Sequence, residues 1–318
     1  MRRTLPGLLL ALTVGAVATV VARSAPVLGA PVVAVALGVL LGSSLPGETL
    51  VHLTPGARFA GRYVLQGAIV LFGLGLSLRA IGRVGVHALP VMIGTLAACL
   101  GGAWLLGRLL RTDRELTTLI GVGTGICGAS AIAATAPVIE AGEAATAYAI
   151  STIMVYNVTA AVVYPILGHL LGMSAAAFGL WSGTAVNDTS SVVAAAASFG
   201  GAAARYAIVV KLTRTLMIIP IVAGLALRRT RRVRAHRLVP PFLVFFLLAA
   251  AVDSVVPLPA PVRSAAAQVA GYGVAVALAG VGMSVRFADL RRAGLRPLAL
   301  GGVLSLVVGL SGLALQTL

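Results

Sequence analysis

The sequence predicts an all-α, polytopic transmembrane helix bundle, and three observations carry that expectation. First, 59% of its 318 residues are hydrophobic, only 10% are charged, and the mean hydropathy is +1.04, all far from the averages of soluble domains. Second, apolar runs of roughly 18 residues or more recur along the whole chain, each long enough to cross a hydrocarbon core about 30 Å thick. Third, residues 73–79, GLGLSLR, recur at 280–286 as GVGMSVR, an internal repeat of the kind found in secondary transporters.

Eleven segments follow, at about 5–22, 29–45, 63–78, 88–107, 117–139, 147–171, 177–199, 204–227, 240–257, 265–285 and 296–316. The chain reads as a single integral membrane domain over 1–318, with repeat-like halves at about 5–110 and 204–317 flanking a central broken-helix region at 117–199. The first segment follows Met1-Arg2-Arg3 and reads as a membrane helix, because no small-residue cleavage site precedes a hydrophilic stretch.

The formal net charge of +16 raises nucleic acid as a partner, but the placement of the charges argues for topology instead. With eleven crossings, one side collects Arg2, Arg3, Arg58, Arg62, Arg108, Arg111, Arg114, six arginines between Arg228 and Arg237, and Arg286, Arg291, Arg292 and Arg296. The other side collects Arg23, Arg79, Arg83, Arg205 and Arg263. The positive-inside rule then puts the N-terminus in the cytoplasm and the C-terminus outside, with Glu140 and Glu143 at the outer end of segment five. The 228–237 stretch suits anionic lipid headgroups and needs no nucleic acid.

Cys99 and Cys127 both fall in apolar segments, and His52, His87, His169 and His236 are scattered without ligand spacing; no metal and no cofactor are expected. The long repeat keeps its register beyond the motif, setting Pro90 against Pro297 and Gly94 against Gly301. Seven crossings separate the copies, so they run in opposite directions through the membrane.

A second echo lies in the centre. GTGICGASAIAA at 123–134 aligns with GTAVNDTSSVVAAA at 183–196. Each helical glycine costs about 1 kcal/mol relative to alanine, so Gly123, Gly125 and Gly128 favour unwinding, which membrane depth tolerates only within protein or beside a watery cavity. Close helix packing through small residues is the alternative for this cluster. Ser130 in one copy, and Asn187, Asp188, Thr189 or Ser190 in the other, are good N-caps for the half-helices that follow, and such N-termini attract anions. Whether segments five and seven span the membrane or re-enter it is open: if both span, they run parallel and the echo is not inverted.

Segment eight supplies cations. Lys211, the only lysine among 24 basic residues, and Arg214 share a helix face, with Arg214 near the bilayer centre. Either Lys211 pairs with Asp188 while Arg214 snorkels, or both line a positively charged site in which Asp188 is a counter-ion or a coupling group. Tyr156 and Asn157 are candidates to face the same cavity.

GTGICGASAIAATAPVI followed by Glu140, AFGLWSGTAVNDTSSVVAAA at 177–196 and VKLTRTLMIIP at 210–220 resemble the YeiH, or UPF0324, family of bacterial inner-membrane proteins, to which sulfate export is ascribed. The resemblance extends to GARFAGRYVLQGAIVLFGLGLSL at 56–78 and AGLRPLALG at 293–301. It implies functional positions at Gly123, Thr124, Cys127, Gly128, Ser130, Asp188, Thr189, Lys211 and Arg214; Gly125, Thr184, Asn187 and Ser190 complete the candidate substrate site. Where the family pattern carries Ile-His-Asp, this chain has Val186-Asn187-Asp188, so a group that titrates near neutrality is missing.

The expected function is secondary transport of a small anion by alternating access, with sulfate or another sulfur oxyanion or sulfonate as the exported solute. A Na⁺- or H⁺-coupled carrier or a channel of another class is the alternative, with Asp188 as the coupling-ion group. An enzyme is not expected, since no Ser, His and carboxylate set is apparent, and no P-loop supports an ATP-driven pump. The expected partners are the anionic solute, membrane lipid and a coupling H⁺ or Na⁺, with a homodimer left open.

Overall fold

Proline, glycine and charge punctuate this apolar chain, and the breaks in its helices fall on that punctuation. The computed structural model describes residues 4–24, 29–228, 241–256, 258–284 and 295–317. Secondary structure among the described residues is helical throughout, and six helices are long and apolar enough to cross a membrane. Arg2, Arg3, the arginines from 229 to 237, and Arg286, Arg291 and Arg292 lie outside the described residues.

Helix α1 (Leu5–Ser24) runs from a first face to a second, and α2 (Gly29–Ser44) returns. Next, α3 (Gly47–Phe59) and α4 (Leu65–Gly73) form one rod through a single π-helical turn at Ala60–Val64. The sequence places this crossing at 63–78. Its first half escapes hydropathy because Glu48, His52, Arg58 and Arg62 lie on it, all exposed. The rod runs antiparallel to α14 (Ala260–Met283), with Gly61 beside Val281 and Gly273 beside Ala68. Along α14, α2 uses Gly38 and Gly42: a Cβ at Gly38 would lie 2.5 Å from the Ala279 carbonyl oxygen, and one at Gly42 2.7 Å from that of Met283. In lipid, such close backbone approach supplies the cohesion that apolar burial cannot.

After a break at 74–77, Ser77 caps α5 (Leu78–Leu109) by accepting a hydrogen bond from the Ala80 N–H at 3.1 Å. Antiparallel to α5 lies α15 (Leu295–Gln316), with Gly94 against Leu315 and Gly102 against Leu304.

Segments five and seven do not cross; each folds back on itself. In the first hairpin, α6 (Arg114–Gly125) and α7 (Ala129–Ile139) share one apolar cluster, in which Leu116, Leu119 and Ile120 meet Ile132, Ala136 and Ile139. Its two ends are fastened together at the first face, where the Gly142 N–H donates to Glu115 Oε2 at 3.1 Å. In the second, α9 (Ala175–Ala185) and α10 (Thr189–Phe199) close at their base through Phe178 and Phe199, stacked 4.0 Å apart.

Between the hairpins runs α8 (Glu143–Leu170), whose 28 residues span about 42 Å. It starts beside the base of the first hairpin and ends beside that of the second, where His169 stacks on Phe199 at 4.4 Å. The hairpins therefore enter from opposite faces. Because Gly142 is tied to Glu115, Glu140 and Glu143 sit on the face that carries Arg108, Arg111 and Arg114 rather than on the opposite one; the expectation of an outer position assumed that segment five crosses.

The chain then crosses by α11 (Gly201–Thr215) and α12 (Ile218–Arg228), interrupted at Leu216–Met217. Pro220 has no N–H to give the Leu216 carbonyl, and its ring crowds that group, which explains the interruption. Helices α13 (Pro241–Val255), α14 and α15 complete the bundle.

Candidate functional site

The two hairpin tips meet inside the bundle. In the first, helix stops at Gly125, and Gly128 takes φ 66 and ψ −133, a conformation that essentially only glycine adopts. A Cβ on Gly128 would lie 3.3 Å from Asp188 Cβ, which places the tips in contact. In the second, Val186 and Asp188 are extended, and Asp188 caps α10 by accepting a hydrogen bond from the Ser190 N–H at 2.9 Å. The Ser190 hydroxyl also donates to the same carboxylate oxygen.

Lys211 ties the tips together. Its ammonium donates at 2.8 Å to the Ile126 carbonyl on one tip and at 2.8 Å to the Val186 carbonyl on the other. Arg214 Nε donates to the Gly125 carbonyl at 2.7 Å. All three acceptors end half-helices α6 and α9, where unsatisfied carbonyls concentrate partial negative charge. Both cations are 0% exposed. Lys211 lies within electrostatic reach of Asp188 without forming an ion pair with it, and its ammonium donates to backbone carbonyls instead. Arg214 keeps Nη1 and Nη2 buried and unpartnered.

Further donors and acceptors surround this junction. Asn157, on α8, accepts from the Asp188 N–H at 3.1 Å through Oδ1, while its Nδ2 is buried without a partner. Thr124 Oγ1 and Asn187 Oδ1 are likewise buried and unsatisfied. Asn187 also lines a cavity of about 480 Å³ between α8, α9 and α15, whose walls include Tyr164, Trp181 and Ser305.

The structure thus brings together Gly125, Gly128, Asp188, Ser190, Lys211 and Arg214, with Thr189 half-buried in the first turn of α10. Others stand apart. Ser130 does not cap α7: Gly128 occupies that position without a side-chain cap, and Ser130 is exposed two residues further on, within the first turn. The αL-side backbone of Gly128 moves the helix start two residues earlier than the serine suggested. Thr184 spends its hydroxyl on the Leu180 and Trp181 carbonyls of its own helix. Gly123 packs against Ile132 and Ile153. Cys127 is the exception: it sits in the tip between Ile126 and Gly128, within electrostatic reach of Lys211 and Asp188, with its side chain in an apolar cluster that includes Leu96. Tyr156 donates to the Leu298 carbonyl at 2.6 Å, away from the tips. The carbonyls of Ile126 and Val186 were not legible as site groups, because a backbone acceptor leaves no mark on residue type.

An all-α, multi-pass membrane protein with two opposed, touching helical hairpins is the class that this architecture defines. The family model described as "Conserved hypothetical protein 698" matches residues 6–301. A UPF0324 membrane protein of Streptococcus pyogenes serotype M6 is 39% identical, with 99% of this chain and 97% of that protein covered. One from Streptococcus mutans is 36% identical over 99% of this chain and 97% of its own length, and one from Clostridium tetani 35% identical over 88% and 87%. The chain belongs to the UPF0324 membrane protein family. No solved structure matches it.

Proposed function

We propose that this protein is a secondary transporter of a small anion and that the anion binds where the hairpin tips meet. The observation that carries the reading is Arg214: a guanidinium at 0% exposure, with one nitrogen bonded to Gly125 and two others without partners. A buried unpaired cation is costly, and an anion that accepts from both Nη groups in the usual bidentate manner removes that cost. The Thr124 hydroxyl and Asn157 Nδ2 offer further unpaired donors. The family resemblance makes sulfate or another sulfur oxyanion the first solute to test.

The arrangement of copies supports alternating access. A hairpin followed by a crossing occurs twice, as α6–α7 with α8 and as α9–α10 with α11–α12, in opposite orientation. The outer repeat pairs α4 with α14 and α5 with α15, each antiparallel. Inverted repeats around a central site permit one half to rearrange against the other, and Arg214 is reachable only when the tips separate. The half near 5–110 and the part of 204–317 that follows α12 then flank the central unit as structural frame, while α11 brings Lys211 and Arg214 from the second half into the site. The excess of arginines that the sequence assigns to the side of the N-terminus supports, by the positive-inside rule, a cytoplasmic N-terminus in a bacterial inner membrane.

Counterflow of radiolabelled sulfate, sulfite, thiosulfate and taurine into proteoliposomes tests the reading. Saturable exchange of at least one of these, lost in Arg214→Gln and partly kept in Arg214→Lys, is expected. Undiminished exchange by a folded Arg214→Gln protein, or exchange of Na⁺ alone, removes the anion assignment.

A further inference from the structure

The first face carries a second basic feature that the transport reading does not use. Arg108, Arg111 and Arg114 rim a cavity of about 660 Å³ between α5, α6 and α12. From the geometry of this cavity we infer a binding site for an acidic phospholipid, with its phosphodiester headgroup held by the three arginines.

Local backbone sets the rim. Helix α5 ends in a Schellman motif, in which the Thr112 N–H donates to the Gly107 carbonyl at 3.0 Å and the Arg111 N–H to that of Arg108 at 3.3 Å. Such motifs place a left-handed residue at the position of Arg111, whose φ is 51, and glycine fills that position without steric cost. An arginine held there projects a cation where the fold itself asks for none. Gly107 lies so close to Thr117 that no Cβ fits between them, which fixes α5 against α6 and keeps Arg108 and Arg114 on one rim. Of the two acids beside them in sequence, Asp113 and Glu115, the second accepts a hydrogen bond from the Gly142 N–H, and neither forms an ion pair with the three arginines.

Depth distinguishes a lipid from a free anion. About 12 Å below the rim, at Leu100 and Val122, the cavity wall is apolar, and Ile221 and Leu225 of α12 add to that wall; these side chains suit an acyl chain and repel a hydrated ion. At the level between them stands Trp104, 60% exposed, with the Arg108 guanidinium 4.3 Å from its ring centroid; tryptophan and arginine together mark a membrane interface. Basic cavities between membrane helices bind acidic headgroups in this way.

Native mass spectrometry of the full chain, released from nanodiscs of phosphatidylglycerol and phosphatidylcholine, tests the site. Wild type is expected to retain phosphatidylglycerol selectively. Arg111→Gly should lower retention about fivefold while leaving the melting temperature unchanged or higher, since the backbone there is relieved. Arg108→Gln with Arg114→Gln added should lower it more than tenfold. Arg205→Gln with Arg263→Gln, which rim a cavity on the second face, should leave it unchanged. Equal retention by the first-face variants, equal loss in the second-face variant, or displacement of the lipid by millimolar inorganic phosphate would each overturn the assignment.

Discussion

Lys211 shows how one side chain can substitute for a helix turn. Two half-helices end within reach of each other, and their last carbonyls have lost their own partners; the ammonium supplies donors to one from each. Leaving a buried acceptor unsatisfied costs about 1–3 kcal/mol, so Lys211→Met orphans two at once, although it also removes the burden of burying a charge. We expect a net loss of about 2 kcal/mol, read as a lower melting temperature in detergent, with faster amide exchange at 125–128 and 186–188. Unchanged exchange at both tips would show that Lys211 does not hold them. Gly128 is the complementary case: at φ 66 and ψ −133, Gly128→Ala should destabilise by about 1–3 kcal/mol and push Asp188 away, with transport falling further than stability. Residue type made Lys211 and Arg214 conspicuous in the sequence, since isolated cations in apolar runs are rare. Their partners were hidden, because carbonyls belong to every residue.

Among elements, the two hairpins are where sequence reading and structure diverge most usefully. Glycine content at 123–128 and the polar run at 187–190 located both breaks correctly, because helix propensity and capping chemistry act locally. Whether the chain continues or turns back after such a break depends on what the second half-helix packs against. For α6–α7 that is the apolar cluster that holds both Leu116 and Ile139, and for α9–α10 the stacking of Phe178 on Phe199. Both join residues about twenty apart, beyond any helical period. Capping differs between the copies for a related reason: glycine starts α7 by conformation, and aspartate starts α10 by hydrogen bonding. Asp188→Ala should therefore cost about 0.5–2 kcal/mol, whereas Asp188→Asn keeps an acceptor for the Ser190 N–H. If Asp188 serves only as a cap, Asp188→Asn transports normally; if its charge couples transport to H⁺ or Na⁺, Asp188→Asn stays folded but loses the dependence of counterflow on the ion gradient.

At the scale of the molecule, folding back segments five and seven leaves the outer topology intact while exchanging the sides of two loops. Two non-crossing hairpins remove an even number of crossings, so everything before α6 and after α10 keeps its face. Only the turns at 140–142 and 171–174 change sides, each fixed by its hairpin base. Charge counting cannot detect this exchange, because neither turn carries an arginine or lysine. Accessibility can. In a background of Cys99→Ala and Cys127→Ala, Glu143→Cys and Arg114→Cys should react with a membrane-impermeant maleimide from the same side, and Leu171→Cys from the other. In intact cells the expected outcome is labelling of Leu171→Cys alone, with the other two labelled only after permeabilisation. A spanning segment five would place Glu143→Cys opposite Arg114→Cys. The same result would leave the two tips without a common meeting point, since hairpins that fail to return cannot both present their breaks to Lys211.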